Sequence, residues 1–123
     1  MVVLDLVFHE EIKTAGQHNG WEWFLDKFRS IRIYCVKGSA NPSGVPIEEN
    51  RLTPEEVLTI PLGPKEILYI SDRKKYLDWA RGHNFHTAGI WSENMTTKGG
   101  EYFCSPTTDS IIGCILNIEY QKD

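Results

Sequence analysis

Short apolar runs alternate with polar or charged segments along the chain, and each run has the length of a buried strand. Residues 2–8 are nearly continuous in aliphatic and aromatic side chains, which is typical of a strand covered on both faces. Three later runs have a similar length and composition. The predicted strands begin near Val2, Ile31, Glu66 and His86.

Several of the segments between these runs have helical spacing. Over residues 21–29, apolar side chains recur at i, i+3, i+4 and i+7, which predicts a helix with one apolar face. Residues 73–81 predict a second helix, closed by Gly82 in the left-handed conformation. Residues 107–120 predict the last helix, and residues 92–102 predict a polar loop before it.

A further helix start is visible in residues 52–60. Thr53 is placed as the N-cap, Pro54 takes the first helical position, and Glu56 completes a capping box. Strands and helices therefore alternate along the whole chain. This order predicts an α/β fold, with a mostly parallel sheet between helices on both faces in a three-layer α/β/α sandwich.

Composition narrows the class of protein. The chain has 123 residues, enough for one hydrophobic core, and a formal net charge of -4, so no basic face for nucleic acid is indicated. No apolar run has the length needed to cross a bilayer. Three cysteines without CxxC spacing predict neither a disulfide framework nor a zinc site, and they favour a cytoplasmic location. The sequence does not identify a protein partner.

Two aspartates lie at the ends of predicted strands. Asp5 interrupts the first strand, and Asp72 comes directly after the third. Ligands of parallel sheets bind beyond the carboxyl ends of the strands, near the point where the strand order reverses. Because Mg²⁺ prefers one or two carboxylates with water and phosphate oxygens, Asp5 and Asp72 form a candidate magnesium site. Alternatively, Asp72 caps the helix that follows it.

These stretches resemble motifs of the haloacid dehalogenase (HAD) superfamily. "ILYISDRKKYLDWARGHNFHTAGIW" is similar to the last motif of that family, in which a hydrophobic strand leads to an acidic residue, a helix and a short strand. "VVLDLVF" is similar to the first motif, whose aspartate is the nucleophile. The intervening segments resemble the family in the same order. The resemblance implies a Rossmannoid sheet in a single HAD-like domain over residues 1–123, without a large cap.

The resemblance also implies a function. It implies a Mg²⁺-dependent phosphatase that hydrolyses a small phosphorylated molecule through an aspartyl-phosphate on Asp5. The metal site that it implies consists of Asp5, Val7 and Asp72.

Basic and hydroxyl groups complete the implied catalytic set. The Ser or Thr that the family carries after its second strand corresponds to Lys37 in the most direct alignment, with Ser39 two residues further on. The family's lysine, which neutralises the phosphoryl group, corresponds to Lys65 or is replaced by Arg51.

Two positions depart from the family pattern. Val7 stands where the phosphatases have the aspartate that acts as general acid and base, and the loss of such a group removes a factor of about 10²–10⁴ in rate. Tyr76 stands where the last motif has its second acid, and Asp78 lies on a different face of the helix. The sequence therefore supports two hypotheses: a HAD-like phosphatase, or a catalytically degenerate scaffold that binds a ligand or a protein.

Overall fold

The described part of the chain forms a five-stranded, fully parallel β-sheet. The structure is a computed structural model, and it describes residues 1–7, 20–27, 31–36, 39, 52–91, 100–105 and 107–120. The strands are β1 (Val2–Asp5), β2 (Ile33–Cys35), β3 (Leu68–Ser71), β4 (His86–Ile90) and β5 (Tyr102–Cys104). Their order in the sheet is β2-β1-β3-β4-β5, and every neighbouring pair is parallel. The predicted α/β class is confirmed.

Helices follow the strands much as the spacing predicts. The α-helices are α1 (Gly20–Lys27), α2 (Lys74–Gly82) and α3 (Thr108–Tyr120), and two short 3-10 helices cover Glu55–Thr59 and Pro64–Glu66. Each α-helix begins within one residue of its predicted start, and α2 and α3 end within one residue of their predicted ends. Residues 28 and 29 of the first predicted helix lie outside the described residues.

Alternate residues of the strands belong to two hydrophobic clusters. In β1, Val2 and Leu4 contribute to one cluster and Val3 to the other, because successive side chains of a strand point to opposite faces. The first cluster includes Phe24 of α1 and the buried isoleucines of α3. The second includes Ala80 of α2. The helices therefore pack on the sheet, and the two clusters support the three-layer arrangement, which stays a prediction.

β5 is a strand that the sequence reading did not predict. It begins at Tyr102, the last residue of the predicted polar loop, and the backbone N–H of Trp91 donates to the Cys104 carbonyl oxygen over 2.9 Å. The prediction failed because β5 has only three residues at the edge of the sheet, with Cys104 buried and Phe103 53% exposed. So short a run gives no apolar alternation to detect. Residues 92–99 of the predicted loop lie outside the described residues.

The predicted capping box is present, but it starts a different kind of helix. The Thr53 N–H donates to Oε1 of Glu56 over 3.2 Å, and the Glu56 N–H donates to Oγ1 of Thr53 over 3.3 Å. The helix that follows is a single 3-10 segment, Glu55–Thr59. Of its side chains only Val57 is buried, so little packing energy extends it into an α-helix.

The end of α2 corrects the prediction that Gly82 is left-handed. Gly82 is the last residue of the helix, and Asn84 has the positive φ of 65°. The Phe85 N–H donates to the Ala80 carbonyl and the Asn84 N–H to the Arg81 carbonyl, which is the bonding of a Schellman motif. Asparagine tolerates this conformation better than most residues, so it substitutes for the expected glycine.

Candidate functional site

The candidate site lies where the strand order reverses. β1 pairs with β2 on one side and β3 on the other, so connections leave the sheet in opposite directions between β1 and β3. Asp5 ends β1 in register with Ser71, which ends β3. Asp72 follows, and its N–H donates to the Asp5 carbonyl oxygen over 3.2 Å. Both aspartates therefore lie at the carboxyl edge of the sheet, where ligands of such folds bind.

Asp5 is fully buried, and both of its carboxylate oxygens accept hydrogen bonds. The Tyr69 hydroxyl donates to Oδ2 over 2.8 Å. The Arg73 guanidinium donates to Oδ1 from Nε over 3.0 Å and also from Nη2. Burial nevertheless raises the pKa of Asp5, and the hydrogen bonds from Tyr69 and Arg73 partly oppose that shift. Asp5 is thus half of a buried ion pair.

Tyr69 reaches this carboxylate from the next strand. Tyr69 precedes Ser71 by two residues in β3, so the side chains of Tyr69 and Ser71 share a face of the sheet. Burial raises the pKa of the Tyr69 hydroxyl well above its ordinary range, and the negative charge of Asp5 raises it further. Tyr69 therefore acts as a permanent hydrogen-bond donor to Asp5.

Arg73 is held by groups on both sides of it. Its backbone N–H donates to Oγ of Ser71 over 2.9 Å, and this bond fixes the backbone between β3 and α2. Its guanidinium lies over the ring of Tyr76, 4.0 Å from the centroid, in a cation–π contact. The side chain is 24% exposed, so one side faces solvent. The ring of Tyr76 thus supports a cation.

Asp72 and Ser39 bind the backbone that leaves β1. Oδ1 of Asp72 accepts the Val7 N–H over 3.0 Å, and Oγ of Ser39 accepts the Leu6 N–H over 2.9 Å. The alternative prediction that Asp72 is the N-cap of the following helix is wrong, since Arg73 is the N-cap of α2. The structure therefore brings Asp5, Val7, Asp72 and Ser39 together.

Of the two predicted lysines, only Lys65 is among the described residues, and it does not join this group. Lys65 lies in the 3-10 helix Pro64–Glu66, just before β3 and therefore at the amino edge of the sheet, opposite Asp5. Lys37 and Arg51 lie outside the described residues. Among the described residues of the site, Arg73 supplies the positive charge.

The donor set suits Mg²⁺, but Asp5 already has a cationic partner. Two adjacent carboxylates match the ligands that Mg²⁺ prefers, and the only oxygen that Val7 offers is its backbone carbonyl. No group of three His, Cys, Asp or Glu side chains with metal-binding geometry occurs in the described ranges. Because a guanidinium beside Asp5 repels a second cation, magnesium binding at Asp5 requires Arg73 to move away.

Sequence reasoning missed Tyr69 and Arg73, although each carries a signal. Tyr69 lies within β3, whose four residues are all buried, and a buried hydroxyl needs a hydrogen-bond partner. Arg73 directly follows the acidic residue at the strand end. Tyr69 needs a hydrogen-bond acceptor and Arg73 needs an anion, and Asp5 is the partner of both.

None of the family models, curated proteins or solved structures compared with the chain matches it. The helices in the described part of the chain are all too short or too polar to cross a membrane.

Proposed function

We propose that this protein is a HAD-like, Mg²⁺-dependent phosphohydrolase of low activity that acts on a small phosphate ester. The observation that carries the proposal is the meeting of Asp5 and Asp72 at the carboxyl edge of a parallel sheet, beside the reversal of strand order. Asp5 is the nucleophile that attacks phosphorus; Asp5 and Asp72 are the residues that would hold Mg²⁺, which would neutralise phosphate charge when bound.

Arg73 takes the charge-neutralising role that the resemblance gives to a lysine. A guanidinium carries five N–H donors, and Nε and Nη2 each direct one at Asp5. The remaining donors and the exposed side of Arg73 are available to a phosphate group. An incoming phosphate dianion competes with Asp5 for this cation, so substrate binding itself loosens the ion pair and releases an oxygen of Asp5 for attack.

Val7 explains why activity is low. In the family mechanism, the group at this position protonates the leaving oxygen and later activates water. A valine side chain has no exchangeable proton, so loss of the general acid lowers the rate by about 10²–10⁴-fold. Phosphate esters whose leaving group needs no proton are therefore the substrates that this site turns over.

The test compares two leaving groups and three variants. We expect slow, Mg²⁺-dependent hydrolysis of p-nitrophenyl phosphate and negligible hydrolysis of an alkyl phosphate. Val7→Asp restores a carboxyl group and raises the rate by roughly 10²-fold, whereas Val7→Asn, of the same shape, does not. Asp5→Asn abolishes turnover. Circular dichroism of each variant checks that the fold is retained, because Val7→Asp adds a third carboxylate beside Asp5 and Asp72.

Brisk hydrolysis of the alkyl phosphate by the unmodified protein contradicts the role given to Val7. Turnover that survives Asp5→Asn contradicts the nucleophile.

A second candidate function is a scaffold that binds a phosphorylated ligand without hydrolysing it. The ion pair favours it, because an aspartate that is fully buried and bonded through both oxygens is a poor nucleophile. In that case orthophosphate perturbs the NMR signals of Arg73 and Tyr76, and neither the unmodified protein nor Val7→Asp shows turnover. Turnover by folded Val7→Asp excludes the scaffold.

A further inference from the structure

The two carboxylate oxygens of Asp5 have partners that differ in exposure. Oδ2 accepts the Tyr69 hydroxyl over 2.8 Å, and Asp5 and Tyr69 are both fully buried. Oδ1 accepts from the Arg73 guanidinium, whose side chain is 24% exposed. Tyr69 is enclosed, whereas Arg73 has an open side towards solvent. Oδ1 is therefore the oxygen that a rotation of its partner can release.

The ring of Tyr69 is fixed by strand pairing and by aromatic packing. Tyr69 pairs with Val3 of β1 and with Thr87 of β4, so β3 is held at both edges at this residue. Its ring meets the Trp79 ring of α2 edge to face, with centroids 5.9 Å apart and an angle of 68° between the planes. Trp79 makes the same kind of contact with Phe85. The packed core therefore directs the Tyr69 hydroxyl at Oδ2 of Asp5.

We propose that Tyr69 is a positioning residue of the phosphoryl transfer: it holds Oδ2 of Asp5, so that Oδ1 is the oxygen that attacks phosphorus. This role rests on the proposed function. The phosphate group of the substrate draws Arg73 away from Oδ1, while the bond from Tyr69 keeps the carboxylate from rotating. The released oxygen then points to the side on which the phosphate is bound.

The covalent steps form and break a bond to Oδ1. In the first step Oδ1 bonds to phosphorus, the bond from phosphorus to the ester oxygen breaks, and an aryl oxide leaves with the electron pair. Oδ2 is then the carbonyl oxygen of the aspartyl-phosphate and still accepts from Tyr69. In the second step water attacks phosphorus, and the bond between phosphorus and Oδ1 breaks. Orthophosphate carries away both protons of the water, and the Asp5 carboxylate is regenerated.

The Tyr69 bond acts on the two steps in opposite ways. A hydrogen bond to a charged acceptor is about twice as strong as one between neutral groups. Negative charge leaves the carboxylate in the first step and returns to it in the second, so the bond weakens in the first and strengthens in the second. Loss of the Tyr69 hydroxyl therefore slows breakdown of the aspartyl-phosphate. In the first step, the higher reactivity of Oδ1 and the loss of its orientation oppose each other.

The experiment follows hydrolysis of p-nitrophenyl phosphate by Tyr69→Phe in the presence of Mg²⁺. We expect kcat to fall about tenfold, as for a hydrogen bond to a charged group, while kcat/KM changes by less than about threefold. The burst of p-nitrophenolate becomes stoichiometric with the protein, and mass spectrometry of acid-quenched protein detects the added phosphoryl group. Loss of the fold lowers the burst together with the rate, so a merely structural role gives the opposite pattern.

Tyr34→Phe is the matched control. Tyr34 pairs with Val3 from the other side of β1, and it is only partly buried. We expect this variant to keep the kcat and the burst of the unmodified protein.

A second measurement needs no substitution. In NMR spectra of the unmodified protein, orthophosphate shifts the Nε–H signal of Arg73, because phosphate takes Arg73 from Oδ1. The hydroxyl proton of Tyr69 stays protected from exchange with solvent, because Oδ2 remains bound.

Three results overturn the role of Tyr69 and leave the phosphohydrolase in place. The first is unchanged kinetics in Tyr69→Phe, or equal falls in kcat and kcat/KM without a burst. The second is the same kinetic change in Tyr34→Phe. The third is a Tyr69 hydroxyl proton that orthophosphate exposes to exchange while the Arg73 signal stays in place. Absence of both turnover and burst in the unmodified protein removes the proposed function, and the role of Tyr69 with it.

Discussion

Removal of Arg73 leaves a charged carboxylate in the core without its cation. Arg73→Ala deletes the guanidinium that binds Oδ1 of Asp5, and Asp5 itself is fully buried. Breaking a buried ion pair at one partner costs about 3–5 kcal/mol. Because Arg73 is 24% exposed, we expect the lower end, about 3 kcal/mol at pH 7. For a domain of 123 residues, that loss lowers the Tm by roughly 12 °C.

The cost depends on pH in a defined direction. The pKa of Asp5 is raised by burial above its ordinary 3.8, so the folded state binds this proton more tightly than the unfolded state. The contribution of Asp5 to the free energy of unfolding is therefore fully present below pH 3.8. It is lost as pH rises through the folded-state pKa. Loss of Arg73 raises that pKa further. The destabilisation by Arg73→Ala is therefore large at pH 7 and shrinks as pH falls, because protonation of Asp5 removes the charge that Arg73 pairs with.

Urea unfolding of a double-mutant cycle measures the pairwise contribution. Asp5→Asn keeps the shape of the side chain and an acceptor for Tyr69 but removes the charge, so Arg73→Ala costs much less in that background. The cation–π contact with Tyr76 is lost in both backgrounds and cancels. Lys74→Ala is the matched control on the same helix, because its salt bridge with Asp78 is exposed and contributes only about 0.3–0.5 kcal/mol.

A loss of less than about 1 kcal/mol in the free energy of unfolding for Arg73→Ala at pH 7 contradicts the prediction, because breaking a buried ion pair at one partner costs more than that. A cost that is equal at pH 4 and pH 7, or equal in the Asp5→Asn background, contradicts it as well.

Three backbone positions give further predictions, each read as a change in the urea midpoint. Gly100→Ala destabilises the protein by roughly 1–3 kcal/mol, because a Cβ there would lie 2.6 Å from the backbone nitrogen of Gly89 in β4 and the strand would have to shift. An unchanged urea midpoint contradicts this packing. Gly113→Ala stabilises by about 1 kcal/mol, since nothing lies within 4 Å and the residue is inside α3; a loss of stability would be unexpected. Asn84→Ala costs about 1 kcal/mol at its φ of 65°, whereas Asn84→Gly is at least as stable as the unmodified protein.

The sequence predicts the elements whose apolar pattern is long enough to repeat. β1, β3 and α3 were predicted because each has several buried side chains in a row or at helical spacing. β5 was missed because a single buried residue, Cys104, gives no period. The end of α2 was misplaced by two residues because asparagine and glycine both adopt the left-handed conformation, and only the tertiary contact of Phe85 with the core selects Asn84.

The candidate site was predicted in part. Asp5 and Asp72 follow from strand ends alone, because parallel strands bring their carboxyl ends to one edge. Lys65 was placed in the catalytic set by its order in the chain, and the edge on which it lies depends on where β3 begins. The pairing of Asp5 with Tyr69 and Arg73 depends on the register of β1 against β3, which the sequence does not state.

The neighbouring positions of β1 and β3 also determine when the protein can fold. The bond from Tyr69 to Asp5 spans 64 positions of the chain, and the bond from Val7 to Asp72 spans 65. At a synthesis rate of about 5–20 residues per second, β1 waits on the order of 3–13 s for the strand that covers its second edge. During that time its buried aliphatic side chains are open to other chains, and such long-range parallel pairing is slow. Pairing of β1 with β3 and assembly of the aspartate pair are therefore the same step in folding.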